Sequence, residues 1–114
     1  LIPGRQAGWR AGHPGRQTIR LLFSPAQKVT RIRLHFEETA VERLQEYVLQ
    51  WSPGHDEPYR EIVRQQWNFS PTGSTVEIED HEVDLPAVAL LELILEPDLN
   101  NPGAFAVLRS MRVA

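Results

Sequence analysis

Two groups of side chains in this 114-residue chain combine an aromatic ring with polar groups that could bind a sugar. A pyranose needs a flat aromatic surface for its apolar face and planar polar groups to bracket its hydroxyls. One group lies in a glycine- and proline-rich segment near the start of the chain, and the other surrounds the turn at Pro53 and Gly54. We therefore expect ligand contacts from Trp9, Arg10, His13, His55, Asp56 and Tyr59.

The aromatic residues also have a structural interpretation. Trp51, Trp67 and Phe69 lie at the ends of segments with apolar positions, which is typical of core residues. Trp9 is either a plug that closes the bottom of the fold or a platform for a ligand, and the sequence leaves both interpretations open. The aromatic content therefore predicts architecture more strongly than it predicts a ligand.

Catalytic and metal chemistry have no matching pattern in the sequence. No serine stands in a nucleophile elbow with a glycine on each side, and the four histidines are widely separated. The absence of cysteine excludes a disulfide, a thiolate nucleophile and a thiolate metal site. Zinc needs clustered ligands, and no such cluster is present. We predict that the protein is not an enzyme and holds no metal or cofactor.

Two segments nevertheless carry enough oxygen atoms to attract calcium. The acidic run from Glu77 to Asp84 alternates its side chains between two faces, and a solvated edge strand explains it more simply. Asp98 with Asn100 and Asn101 is the better candidate loop for a structural calcium ion. An ordinary asparagine-rich turn is the favoured interpretation of that loop.

Charge and hydropathy exclude two classes of partner. The formal charge is −3, the pI is near 5.8 and no basic run occurs, so we expect no nucleic-acid binding. The longest apolar run, residues 85–95, is interrupted by Pro86 and Glu92 and is too short to cross a bilayer, so we expect no membrane partner. Localisation stays open, with the cytoplasm favoured because cysteine and a visible signal peptide are both lacking.

Short alternating segments predict one all-β domain over residues 1–114. Residues 1–15 are expected to form an ordered loop, and residues 37–46 a short helix or a loop with one helical turn. The expected strands, about seven in number, are residues 17–23, 29–37, 45–52, 59–67, 74–85, 89–96 and 105–113.

The alternation also assigns faces to two of these strands, because successive side chains of a strand point to opposite sides. The residues expected inside are Ile32, Leu34, Phe36, Val76 and Ile78, and those expected outside are Arg31, Arg33, Glu77 and Glu79.

Six segments follow one another in a familiar order: GWRA, QTIRLLF, VTRIRLHF, EYVLQWSPGHDEPYREIV, LLELILEP and FAVLRSMRVA. In this order they resemble the discoidin, or coagulation-factor type C, domain, a galactose-binding-like jelly roll, in the form of a bacterial offshoot. The chain departs from that family in lacking cysteine and in its turn SPGHDEP. The family's first strand is expected to lie outside this chain.

The resemblance implies an antiparallel jelly-roll β-sandwich whose end loops bind a carbohydrate without catalysis. Trp9 would stack on the sugar, and the polar residues of the two groups would hydrogen-bond to it. The alternative is a protein-interaction or self-assembly module with no sugar ligand. Its partner would dock on the polar and aromatic band at residues 64–69, or would add a strand to an unpaired sheet edge.

Overall fold

The computed structural model describes the backbone of residues 5–114 and the side chains of residues 11–114, and every regular element in this part is a β-strand. Within it, no helix is long and apolar enough to cross a membrane. The strands are β1 (Arg5–Arg10), β2 (Gln17–Glu37), β3 (Arg43–Ser52), β4 (Arg60–Phe69), β5 (Val76–Glu96) and β6 (Val107–Val113).

All six strands belong to one antiparallel sheet with the order β1-β6-β2-β5-β3-β4. The two central strands, β2 and β5, have 21 residues each. A straight strand of that length would span about 69 Å, whereas the longest dimension of the molecule is 43 Å. Both long strands must therefore bend.

The bend lies where the pairing of β2 with β5 becomes irregular, between Leu22 and Arg31. On one side of it, β3 pairs with residues 90–96 of β5, and on the other side β6 pairs with residues 32–35 of β2. The sheet therefore has two layers. The first layer contains β1, β6, residues 29–37 of β2 and residues 76–85 of β5. The second layer contains residues 17–22 of β2, residues 88–96 of β5, β3 and β4.

Side chains from the two layers meet in the core. The rings of Phe36 in the first layer and Tyr47 in the second are 5.5 Å apart between centroids, although their strands are not paired at these positions. Ile32, Leu34 and Phe36 are fully buried, which confirms the inner face expected for this part of β2. Each such side chain stabilises the fold by about 1.5–3 kcal/mol. The all-β class is confirmed, and the layering has the character of a β-sandwich.

Three expectations about the elements are wrong. Residues 5–10, expected in a loop, form β1 and pair with β6. The breaks expected at Pro25 and Pro86 are absent, because each proline lies inside one long strand, at positions where the β2–β5 ladder has no paired residue and needs no N–H donor. Six strands therefore replace the expected seven, and residues 38–42 contain no helical turn.

The inner face of residues 76–79 is the reverse of the expected one. Val76 and Ile78 are 42% and 50% exposed, whereas Glu77 is only 1% exposed. The register explains this, because Glu77 lies directly opposite the buried Phe36 of β2, and directly opposite residues of paired strands share a face. The apolar residues of this segment therefore point to solvent and the glutamates point inward.

The strand-end aromatics have different burial. Trp51 and Phe69 are buried, as expected for core residues, and Trp67 is half-buried at the margin of the core. The guanidinium of Arg60 covers the Trp51 ring at 5.2 Å from the ring centroid. Trp51 therefore closes the core at the β3–β4 hairpin.

We predict that Trp51→Ala lowers the free energy of unfolding by about 3–5 kcal/mol, because it empties a buried site. Trp67→Ala should cost less, because part of its ring already contacts solvent. Urea unfolding of both variants measures the difference, with the exposed Leu22→Ala as the control. Equal losses for Trp51→Ala and Leu22→Ala would contradict this assignment of the core.

Candidate functional site

Both ends of each long strand lie at the same end of the sandwich, because β2 and β5 fold back at the bend. The adjoining loops meet there: Gly15 N–H donates to Ala104 O (2.8 Å), and Glu38 N–H donates to Thr75 O (2.8 Å). We call this region the loop end. It gathers residues 11–16, 38–42, 70–75 and 97–106.

Three of the residues expected to bind a ligand belong to the start of the chain. Trp9 and Arg10 lie in β1, where Trp9 pairs with Leu108 of β6, so they are strand residues and not loop residues as expected. Their side chains lie outside the described residues. His13 is exposed in the loop at residues 11–16 and therefore belongs to the loop end.

The other three expected residues lie at the opposite end of the second layer, which we call the hairpin end. The loop that carries His13 leads into Gln17, which pairs with Leu95, whereas the hairpin loop follows Ser52, which pairs with Leu90. Five residues of β5, or about 17 Å, separate these levels. The structure therefore does not bring His13 together with the hairpin group of His55, Asp56 and Tyr59.

Tyr59 is held against the outer face of the second layer, while His55 and Asp56 are exposed. Its hydroxyl interacts with Glu92 and Arg20. The carboxylate of Glu92 also accepts hydrogen bonds from Arg20 Nε (2.8 Å) and Gln50 Nε2 (2.7 Å). Burial alone would raise the pKa of Glu92, but these hydrogen bonds outweigh burial and lower it. Tyr59 thus anchors the hairpin to the sheet, and only His55 and Asp56 are open to a ligand there.

A cavity of about 260 Å³ opens at the loop end. We call it the end-loop cavity. It is lined by Glu38, Ala40, Val41, Arg43, Asn101, Gly103, Ala104 and Phe105.

The polar centre of the end-loop cavity is Arg43, whose side chain is only 1% exposed. Its Nη1 donates to Gln45 Oε1 and to Pro97 O, both at 2.9 Å, and its Nε donates to Glu38 Oε1 at 3.0 Å. The guanidinium lies over the ring of Phe69, 4.7 Å from the ring centroid. Among residues 11–114, Nη2 of Arg43 has no hydrogen-bond partner. Because this nitrogen is itself buried, Arg43 fixes the cavity wall and does not present its unused donor to the cavity.

Sequence reasoning missed Arg43 because residues 37–46 were interpreted as a short helix or a loop with one helical turn. The alternation that identifies β3 extends back to Arg43, since Arg43, Gln45 and Tyr47 all point inward. A charged residue at an inward-facing position near the start of a strand is unusual, and it needs hydrogen-bond or ion-pair partners. That signal was present in the sequence.

Buried polar groups continue from Arg43 into the space between the layers. Gln45 Nε2 donates to Glu77 Oε1 (3.2 Å), and the second carboxylate oxygen of Glu77 has no partner among the described side chains. Burial, reinforced by the neighbouring Glu79, raises the pKa of Glu77 to about 8. Tyr47 Oη is hydrogen-bonded to His81 Nε2 (2.7 Å), and burial raises the pKa of Tyr47 strongly. Because its pKa is about 8, Glu77 is protonated at neutral pH.

Asp98, the residue suggested for calcium, fixes the backbone of its loop. Its Oδ1 accepts hydrogen bonds from Leu44 N (3.3 Å) and Asn100 N (3.0 Å). An asparagine-rich turn accounts for both contacts. In the part of the chain whose side chains are described, no group of three His, Cys, Asp or Glu residues is arranged to hold a metal ion.

Comparison with known proteins gives no relative: no family model, no curated protein and no solved structure matches the chain. The function is therefore argued from the geometry of the chain's own residues.

The raised pKa of Glu77 predicts a stability that falls as the pH rises. Its pKa is about 8 in the folded protein and ordinarily 4.5. Between these values the folded state binds one more proton at this site than the unfolded state does. The site therefore lowers the free energy of unfolding by about 1.4 kcal/mol per pH unit over that window. Glu77→Gln should remove this loss and be more stable than the wild type at pH 8.

Urea unfolding of Glu77→Gln and the wild type between pH 5 and pH 9 measures the two slopes. Glu82→Gln, an exposed change in the same strand, is the matched control and should keep the wild-type slope. Parallel curves for Glu77→Gln and the wild type would show that Glu77 is not protonated in the folded protein.

Proposed function

We propose that this protein is a non-catalytic binding module that holds a carbohydrate in the end-loop cavity. The observation that carries the proposal is the combination of a buried, fixed guanidinium with apolar side chains on one cavity wall. Arg43 supplies the guanidinium, while Val41 and Phe105 are 50% and 39% exposed.

This lining matches the two-sided chemistry of a sugar. Glu38 and Asn101 offer planar groups that can bracket hydroxyls, with Glu38 held by Arg43, and Val41 and Phe105 offer apolar surface for the C–H face of the ring. Glu38 and Arg43 form an ion pair, so their charges cancel within the cavity. A lining without net charge favours a neutral sugar over an acidic one.

The wider fold supports the same class of protein. An all-β antiparallel architecture with loops gathered at one end suits the galactose-binding-like jelly roll that the sequence resembles, in which ligands lie in end loops. We include the jelly-roll type and the discoidin relationship in the proposal. His13 belongs to the same end as the cavity and remains a predicted contact, whereas His55 and Asp56 would need a second site at the hairpin end.

The absence of catalysis is part of the proposal. The Ser52 hydroxyl donates to the backbone oxygens of Gly54 and Glu57 (2.5 and 3.0 Å), and Ser70 is hydrogen-bonded to Thr72. These hydroxyl groups stabilise turns through their hydrogen bonds. His81, the histidine with a close side-chain partner, is bonded to the buried Tyr47, whose raised pKa keeps its proton at neutral pH.

A glycan array on the wild type and on Val41→Glu tests the proposal. The larger, charged side chain at the exposed Val41 should obstruct the cavity and weaken binding of the captured glycan roughly tenfold or more, which corresponds to the loss of about one charge-assisted hydrogen bond. Titration calorimetry with the captured glycan measures the loss.

Val76→Glu is the matched control, because it makes the same substitution at an exposed valine of β5 that does not line the cavity. It should bind as the wild type does. A double change of His55→Ala and Asp56→Ala examines the hairpin end. If that double variant loses the glycan and Val41→Glu keeps it, the binding site lies at the hairpin end and the proposal for the end-loop cavity is wrong.

A protein-interaction or self-assembly module is the second candidate, and the sheet edges favour it. β4 is an edge strand and carries the polar and aromatic band at residues 64–69, and residues 76–85 of β5 pair on one side only, with β2. Exposed edges accept added strands. Light scattering distinguishes the candidates: a stable dimer together with an empty glycan array would favour assembly over sugar binding.

A further inference from the structure

Three arginines line a groove of about 200 Å³ on the outer face of the first layer, together with Ala114. We call this the arginine groove. Arg31 and Arg33 are exposed residues of β2, and Arg112 is an exposed residue of β6. Arg33 and Arg112 lie directly opposite each other in the β2–β6 register. The fold therefore places two positive side chains side by side on one face of the sheet.

The charges in the groove are not balanced. Arg31 is paired with Asp80, to which its Nε donates at 2.8 Å and its Nη2 also binds. Asp80 is also the residue opposite Arg33 in the register, but its carboxylate is bound by Arg31. Within residues 11–114, no carboxylate lies within 4.0 Å of the guanidinium of Arg33 or Arg112. Asp80 acts on Arg33 through space, but in the part of the chain whose side chains are described neither Arg33 nor Arg112 has an ion-pair contact of its own.

Like charges directly opposite each other destabilise a sheet. An anion between Arg33 and Arg112 would remove that repulsion and accept charge-assisted hydrogen bonds from both guanidinium groups. The planar arrangement of their N–H donors matches the oxygen atoms of phosphate and sulfate. The backbone oxygen of Ala114 is already bonded to the amides of Thr30 (2.7 Å) and Arg31 (3.1 Å). The groups of the groove that remain for a ligand are therefore the arginine side chains, which are cationic.

We propose that the arginine groove binds a tetrahedral oxyanion, the phosphate or sulfate group of a small molecule. Arg33 and Arg112 clamp the group from two strands, and Arg31, oriented by Asp80, borders it. The groove lies on a sheet face and shares no residue with the end-loop cavity. The two sites therefore bind independently, and the oxyanion site does not depend on the proposed sugar binding.

Titration calorimetry with inorganic phosphate at low ionic strength tests the site. Arg112→Gln should weaken phosphate binding roughly tenfold or more, because one charge-assisted contact and one charge are lost. Arg109→Gln is the matched control. It lies in the same strand, is exposed, does not line the groove and changes the net charge equally. Arg109→Gln should retain the wild-type affinity, and equal losses in the two variants would overturn the proposal.

Thermal melts give a second readout that a general effect of charge does not reproduce. Without phosphate, Arg112→Gln should melt at or above the wild-type temperature, because it removes the repulsion with Arg33. Added phosphate should raise the melting temperature of the wild type and Arg109→Gln but not that of Arg112→Gln. Equal shifts in all three proteins would overturn the proposal.

Titrations with other ligands identify the anion. Phosphate and sulfate should bind more tightly than acetate at matched ionic strength, and glycerol 3-phosphate should bind where glycerol does not. Binding to vesicles of phosphatidic acid without binding to free phosphate would overturn the small-molecule proposal in favour of a membrane surface.

Discussion

The pairing of β2 with β5 is the constraint on which the rest of the structure depends. It extends from Gln17 opposite Leu95 to Glu37 opposite Val76, and it passes through both layers. Because both strands are too long to remain straight, they bend together, and each of the other strands adds to one layer only. The same bend returns both ends of each long strand to the loop end. Four loops therefore meet at the loop end as a consequence of strand length and pairing, and two of them line the end-loop cavity.

The buried charge of Arg43 follows from this arrangement. A buried guanidinium is tolerated only where several acceptors surround it. Arg43 obtains acceptors from Glu38 after β2, from Gln45 in its own strand and from Pro97 after β5. Because these partners belong to separate segments, Arg43 also fixes the loops relative to one another. A site built on this side chain is held rigid before a ligand arrives, which lowers the entropic cost of binding.

Much of the fold could be predicted from alternation, and the errors have identifiable physical causes. The strands, their approximate bounds and the inner face of residues 32–36 were predictable, because side chains in a half-buried strand alternate. The continuity of the long strands was not, because prolines at unpaired ladder positions look the same in sequence as prolines that end a strand. The face of residues 76–79 was not predictable either, because register with Phe36 outweighs the apolar character of Val76 and Ile78. The inward position of Arg43 was visible in the alternation of β3, but its contacts with Glu38 and Pro97 join distant segments, so local sequence patterns could not reveal the polar inner cluster.

Several charged side chains of the sheet form ion pairs with neighbouring strands. Arg20 is paired with Glu92, Arg31 with Asp80, and Arg64 with Glu46 and Glu61. Glu77 and the pair of Arg33 and Arg112 have no such ion pair in the described part of the chain, and the two cases differ. At Glu77 the carboxyl group binds a proton and becomes neutral, because burial raises its pKa. At Arg33 and Arg112 no such solution exists, since a guanidinium does not release its proton at physiological pH. An external anion can bind between the two guanidinium groups, and the exposed position of the arginine groove makes it accessible to one.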